Sequence, residues 1–492
     1  MSDFFLSLML LGALSSSGQL PFWATAGQYG LMPESSGTMA WVQAGQPFGG
    51  DGTLQWRWGA SLAVNSYRDD LDPASSPLHP MVDELYASLR WKALTLDLGQ
   101  KRRALDFLAP DPLLGSLSVS GGHLMDSGNA RPMPGFQFTL APVAVPLTAG
   151  HLWLYGTYGD YRTRDLRYVP GALVHRTQIG LRGDIGSRLS LHFVLDHYAM
   201  WGGRHPDHAA MPVNLENYLR VITGRPAGAT GDLTDQLNVI GDQRGSELVR
   251  AEWKGDGWKA VAQHDIPYDD GSGMGLQNFP DGVNTLCFSW DDKARWISDI
   301  VFEYHYTRYQ SGPVNVEVFA GEDSPYAPGI RKTTGLDNYF NNGEYQSGWT
   351  HFGRTIGEPL FFPAGTKAGT WSPALMTLGV ENNRIRAHHL GVGGRLFRVH
   401  PYRLMLTYSR NYGTYAVPYA GDSAWQRPWG SVRETPLRQF SAAFTGLVDG
   451  LFGVRGLSGM YGIYADALEV LPASVGALAG VRYSLESNKK NR

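Results

Sequence analysis

Between residues 189 and 198 the chain alternates. Leu189, Leu191, Phe193 and Leu195 fall on one face, and Ser190, His192, Val194, Asp196 and Tyr198 on the other. The two-residue period of a β-strand produces this separation, so the segment predicts a strand with one apolar and one largely polar face. The pattern recurs in 402–409, where Tyr402, Leu404, Leu406 and Tyr408 oppose Arg403, Met405, Thr407 and Ser409. In 84–91, Leu85, Ala87, Leu89 and Trp91 oppose Glu84, Tyr86, Ser88 and Arg90. Further on, Ile300, Phe302, Tyr304 and Tyr306 alternate with Asp299, Val301, Glu303, His305 and Thr307. Charges at so many inward positions are costly in the dry core of a soluble β-sandwich. An all-β fold, a transmembrane antiparallel barrel, removes the conflict: lipid takes the apolar face and a wet or polar-packed lumen takes the other.

The connections point the same way. Short links are expected at 49–52, 92–93, 183–187, 255–257, 291–293 and 397–401. Between them lie long stretches at 68–82, 104–134, 162–173, 202–245, 266–282, 308–373 and 413–436. Outer-membrane barrels keep short turns on the periplasmic side and long loops outside. One strand between neighbouring connections, with a first near 21–32 and a last near 474–485, gives about 18 strands, or about 16 if edges shift, with both ends periplasmic. The last strand sets Val475, Ala477, Ala479, Val481, Tyr483 and Leu485 on one face.

Composition narrows the picture further. No linker or charge run divides residues 20–485, which read as one barrel domain, and 486–492 read as a charged periplasmic tail. Residues 1–19 are set apart as a remnant of a signal region or an N-terminal extension. Residues 4–14 are apolar like a signal core, yet Asp3 precedes them and the first Lys or Arg is Arg57, so the start is read as truncated. With 15 Trp and 24 Tyr the chain can furnish two interfacial girdles, and 61 Gly suit its many turns. No apolar run is long enough for a helical span. A net charge of −3 without a basic stripe makes nucleic acid an unexpected partner. The single cysteine, Cys287, rules out an intramolecular disulfide and any cysteine metal cluster, and reads as a small packed residue.

Several segments, in order along the chain, resemble one family. They are Pro21-Phe22-Trp23-Ala24-Thr25-Ala26 with Tyr29-Gly30-Leu31, then Ser127-Gly128-Asn129-Ala130-Arg131-Pro132-Met133-Pro134, Trp201-Gly202-Gly203 and Asn217-Tyr218-Leu219-Arg220. Asp269-Asp270-Gly271 through Met274, Asn278 and Pro280-Asp281-Gly282 follow. The second half adds Tyr339-Phe340-Asn341-Asn342, Tyr345, Gly348-Trp349, Asn382-Asn383-Arg384, His388-His389 and Tyr408 through Tyr415. Together they resemble the Wzi-type capsule-assembly family of outer-membrane proteins, in its Bacteroidetes-like form. The resemblance implies a Gram-negative outer-membrane barrel of about 18 strands that works as a lectin for capsular or exopolysaccharide, without chemistry or cofactor. Its implied partners are that polysaccharide, outer-membrane lipid and polysaccharide export machinery. It also implies a helical plug at the periplasmic end. The best helical stretch is 214–223, with Leu215, Tyr218, Leu219 and Ile222 at helical spacing, and it is expected in or over the outer mouth.

Polysaccharide recognition needs flat aromatic faces and planar groups that bond paired hydroxyls or carboxylates. Tyr339, Phe340, Asn341, Asn342, Tyr345, Gln346 and Trp349 crowd one long loop, followed by His351 and Arg354; Trp425, Arg427 and Trp429 crowd another. Asn129 with Arg131 and Trp201 with Arg204 are further binding candidates. The alternative is that these aromatics pack the loops together and the asparagines make turns. Asp269-Asp270 lacks the ligand spacing of a calcium loop, and His388-His389, adjacent in a strand, point to opposite faces and cannot share one metal. No catalytic signature is present: no GxSxG, HExxH, P-loop or GxGxxG occurs, and Glu322-Asp323 read as solvated loop acids. A porin or export channel is the competing function, and a loop-borne hydrolase a third.

Overall fold

A computed structural model of the protein describes residues 4–49, 53–67, 77–207, 213–226, 239–269, 275–312, 316–319, 331–334, 337–366, 379–420 and 434–486. Eighteen antiparallel strands close into one barrel. They are β1 (Phe5–Ser15), β2 (Gly37–Gly49), β3 (Leu54–Tyr67), β4 (Leu78–Trp91), β5 (Leu94–Gln100), β6 (Pro134–Ala144), β7 (Leu152–Arg162), β8 (Leu173–Ile185) and β9 (Leu189–Trp201). The circuit continues through β10 (Asp242–Gly255), β11 (Trp258–Tyr268), β12 (Gly282–Trp290), β13 (Asp299–Tyr306), β14 (Ile385–Leu396), β15 (His400–Asn411), β16 (Leu437–Asp449), β17 (Leu457–Leu468) and β18 (Ser474–Glu486). Each strand pairs with its neighbour in sequence, and β1 closes the ring on β18 in a register running from Phe5 opposite Glu486 to Ser15 opposite Gly476.

The alternation in sequence becomes an inside and an outside. On β9, Phe193 is 57% exposed, whereas Asp196 and Tyr198 are buried in the lumen. On β13, Phe302 faces out while Glu303 and His305 are fully buried. Leu10, Leu85, Ile179 and Ile463 extend the apolar exterior around the wall. A closed barrel with no free sheet edge and an apolar outer belt is the outer-membrane architecture. Connections sort by end: 92–93, 145–151, 186–188, 256–257, 291–298, 397–399 and 450–456 lie at one end with the start of β1 and the end of β18, which is the periplasmic side. The opposite end carries the junctions that follow β1, β3, β5, β7, β9, β11, β13, β15 and β17, among them 16–36, 101–133, 163–172 and the brief 469–473.

The first strand is not where the sequence pattern put it. Residues 21–32 form no strand; they hold a helical turn, α1 (Phe22–Thr25), inside the lumen, where Trp23 Nε1 donates to Thr407 Oγ1 (3.2 Å) and the Phe22 N–H to Asp466 (2.8 Å). The apolar segment taken for a signal remnant or extension is instead β1, part of the wall. It reads as uniformly apolar because both of its faces are: Leu8, Leu10 and Leu14 face lipid, while Leu11 and Ala13 pack inward on Leu31, Met32, Met39 and Trp41. Glu486 belongs to β18, and the rest of the tail lies outside the described residues.

Three connections from the extracellular end, 16–36, 101–133 and 337–366, fold down into the barrel and fill much of it. Their core joins Trp23, Leu124, Met125, Tyr339, Phe340, Tyr345, Trp349, Leu360 and Phe361. Inward polar groups of the wall satisfy the backbone of this plug. Glu303 accepts from Ser118 Oγ (2.6 Å) and the Val119 N–H (2.8 Å), and Asp265 accepts from the Leu124 N–H (2.7 Å). Arg403 donates to the Ser116 carbonyl (3.0 Å). The buried charges that argued against a soluble fold are thus used as hydrogen-bond partners for irregular backbone.

The plug has almost no helix, and the periplasmic helical plug implied by the resemblance is not found among the described residues. The expected helix does form, as α2 (Leu215–Ile222), with Asn214 Oδ1 capping the Asn217 N–H at 2.8 Å. Its place differs from the expectation. It lies against the outer surface of the wall near the extracellular end, where Tyr218 and Val221 cover Ala199 and Trp201, and Gln243 donates to the carbonyl of Val221. Those wall residues share the outward face of their strands with Phe193 and Val249, so the helix shields polar groups just above the lipid belt.

Candidate functional site

Most of the aromatic candidates are structural. Tyr339, Phe340, Tyr345 and Trp349 are buried to within 1% of completely, so they offer no face to a glycan and form plug core rather than the expected binding surface. Tyr339 Oη donates to Asp281 (2.9 Å), Tyr345 Oη to the Gly202 carbonyl (3.1 Å) and Trp349 Nε1 to the Met125 carbonyl (2.8 Å), while Phe340 meets Phe361 edge to face. Long loops folded into a lumen need an apolar core, and these residues supply it. Asn341 bridges both backbone groups of Val380, at 2.8 and 3.0 Å, and Asn342 Oδ1 accepts from the N–H groups of Glu344 and Tyr345, both at 2.9 Å. Buried Asn129 ties to Thr355 Oγ1 (2.9 Å), and Trp201 packs under α2 against Tyr218. Arg204 is exposed at the rim. Trp425, Arg427 and Trp429 lie outside the described residues, as do Asp270 and Glu322-Asp323. His388 and His389 do face opposite ways: His388 is exposed and His389 is buried against Thr407 and the Leu117 carbonyl.

What remains accessible is a small patch at the extracellular end. Thr350–His351 pairs with Arg354–Thr355 in a tight hairpin whose tip, Phe352 and Gly353, has positive φ at both residues. The turn projects Phe352, 40% exposed, with the Arg131 guanidinium stacked 4.4 Å from its ring centroid. Arg354 stands beside it, paired to Glu34 at 3.1 Å. Thus Arg131, more than 200 residues earlier in the chain, meets the hairpin that carries Arg354. Sequence reasoning passed over Phe352 although it sits between two named candidates; a Phe-Gly pair at a hairpin tip was the available signal.

The hairpin is fixed from below by His351. Its Nδ1 faces the Arg131 carbonyl (2.9 Å), and its Nε2 accepts from the Arg164 N–H (3.2 Å), which together select the neutral imidazole with the proton on Nδ1. Burial pushes this imidazole down to about 4, against the opposing pull of Asp165. The carbonyl of Arg131 is therefore held by a neutral ring, which sets the backbone from which the arginine reaches Phe352.

A second feature lies inside the barrel. On the β3–β7 side the plug leaves a cavity of about 560 Å³. Period-two spacing points Glu84, Tyr86 and Arg90 of β4 into it, with Arg57 of β3, and Thr95 and Asp97 of β5. Lys101, Arg102 and Arg103 line it as the chain leaves β5 for the plug, each paired to a carboxylate: Asp97 (2.7 Å), Asp83 (2.7 Å) and Asp126 (2.8 Å). Burial lowers the Lys101 ammonium, opposed by Asp97. At Asp126 burial acts upward, but Arg103 and Arg176 outweigh it and hold the carboxyl below its usual range.

No family model matches the chain, and no curated protein matches it. Solved structures do. Wzi of Escherichia coli, an outer-membrane protein involved in group 1 capsule assembly and a carbohydrate-binding β-barrel, aligns over 98% of this chain and 84% of its own, with a TM-score of 0.57 and 14% identity. The outer-membrane protein OpdK of Pseudomonas aeruginosa aligns over 99% of both chains with a TM-score of 0.45 and 9% identity, and OprD of the same organism over 99% and 96% with 0.44 and 9%. At these identities the likeness is one of fold, and the chain is similar to an 18-stranded outer-membrane barrel of the Wzi kind.

Proposed function

We propose that this protein is a non-enzymatic, lectin-like outer-membrane barrel that binds capsular or exopolysaccharide and helps assemble or anchor it at the cell surface. The observation that carries the reading is the exposed Phe352 ring stacked on Arg131, on a hairpin that also carries Arg354 and is braced by the plug. An aromatic face suits the CH surface of a sugar, and guanidinium forks suit its hydroxyls or carboxylates. The fold likeness to a barrel described as carbohydrate binding agrees with it. Exposed Arg204 and half-buried Asn342 on the same end are proposed as secondary contacts. Export machinery is proposed as the partner that delivers the polymer.

The test is retention of the cell's own surface polysaccharide by purified, detergent-folded protein, with dextran as control and Phe352→Ala as the variant. Specific retention that falls about 10-fold in the variant supports the proposal; equal retention by the variant removes the patch. The channel reading draws on one feature, the cavity left along β3–β7. Sustained conductance in planar bilayers with no polysaccharide retention would establish it instead.

A further inference from the structure

The cavity on the β3–β7 side has an uneven distribution of charge. Its deeper cations are neutralised by Asp97, Asp83 and Asp126. Arg57 and Arg90 are not: among the described residues neither has a carboxylate within salt-bridge distance. They converge instead on Phe48, with guanidinium carbons 4.4 and 3.8 Å from the ring centroid, and Arg57 Nε donates to Ser88 Oγ at 3.2 Å. The ring and the hydroxyl orient the forks, and among the described residues Arg57 Nε to Ser88 Oγ is the one hydrogen bond that either makes. Asp97, which accepts from that same Ser88 hydroxyl, is engaged by Lys101, so the two adjacent like charges repel unless an anion joins them.

The position gives the direction of entry. Arg90 and Thr95 flank the two-residue link 92–93 at the periplasmic end, and Arg90 is exposed. Met133 and Tyr161, both buried where the plug meets the wall, close the cavity above. Around the arginines, Tyr86 offers an aromatic ring and Thr95 and Thr139 offer hydroxyls. A bare inorganic anion needs none of this, and about 560 Å³ lies within the range of pockets that enclose a small organic ligand.

From this geometry we infer that the cavity is a periplasm-facing subsite for a carboxylate-bearing saccharide, its carboxylate held between Arg57 and Arg90. The inference deepens the carbohydrate-binding reading and rests on it, naming acidic sugar units as the ligand class and the inner side of the membrane as a place of contact.

Binding of a short oligogalacturonate to the full-length barrel in detergent tests it, with neutral maltohexaose alongside. The wild type is expected to bind the acidic oligomer, more weakly as salt is raised, and not the neutral one. Arg57→Gln with Arg90→Gln is expected to weaken that binding at least about 10-fold, and Arg57→Lys, which keeps charge but loses the fork, to fall between. Insertion of each variant is checked by its heat-dependent gel mobility. Equal binding of both oligomers, no binding of the acidic one, or unchanged affinity in the double variant overturns the inference. Failure of the carbohydrate reading itself shows separately, as no retention of surface polysaccharide by the wild type.

Discussion

The carbonyl of Leu117 reaches the barrel wall because Gly391 has no side chain: a Cβ on Gly391 would stand 2.0 Å from that oxygen, which instead accepts from His389 Nε2 at 2.8 Å. One absent methyl group thus sets how closely the plug seats against β14. Gly391→Val is expected to insert normally, lift the 101–133 segment, cost about 1–3 kcal/mol of overpacking, and add conductance in planar bilayers. Gly183→Ala, at a position with open space around a new Cβ, is the control and leaves conductance unchanged.

His351 makes the outer patch sensitive to acid. Its folded pKa of about 4 lies below the unfolded value of 6.5, so the unfolded state binds the proton more readily. The stability contributed by the neutral ring is complete above pH 6.5 and is lost as pH falls through the window toward 4, on the order of 3 kcal/mol in full. Proteolysis of the 337–366 segment should accelerate across that window in the wild type. In His351→Gln the acceleration over the same window should be absent.

Trp349→Ala and Phe352→Ala should separate packing from binding. Trp349 is fully buried and bonded to Met125, so its loss opens a cavity and costs about 3–5 kcal/mol, seen as easier urea unfolding of the plug. Phe352 is 40% exposed and among the described residues its ring meets only Arg131 and the edge of His351, so its variant should unfold nearly like the wild type and lose polysaccharide retention.

The lipid belt is tested by charge. Phe193→Arg places a guanidinium on the outward face of β9 and should destabilise the inserted barrel by about 2–4 kcal/mol in denaturant titrations. A change of similar size in free energy is not expected from Thr95→Arg, which enters the wet cavity.

How much of this could be read from the chain depended on what each strand touches. Where one face meets lipid and the other meets polar groups, as at Phe193 and Asp196, the two-residue period is plain and the strand is found. Where the lumen is itself apolar, as beside Leu11 and Ala13, the period disappears, and β1 reads like a secretion signal. The opposite error arose at Trp23, placed in a first strand near 21–32 by the count of connections although α1 is held inside by Asp466 and Thr407. At the site, composition located the loop but not the side of it that faces out. Tyr339, Trp349 and Phe352 look equivalent in sequence, and only the fold of the plug buries two and exposes the third.

The seam between β1 and β18 carries a consequence for assembly. Ser7 and Ser484, 477 residues apart, meet across it, so the ring cannot shut until the last strand has been delivered. By then 16–36, 101–133 and 337–366 must already occupy the interior or be gathered in through the extracellular mouth as the wall curls. Closing the cylinder and filling it are therefore one event for this chain, and a protein caught before the seam forms would present its future interior as an open, sticky sheet.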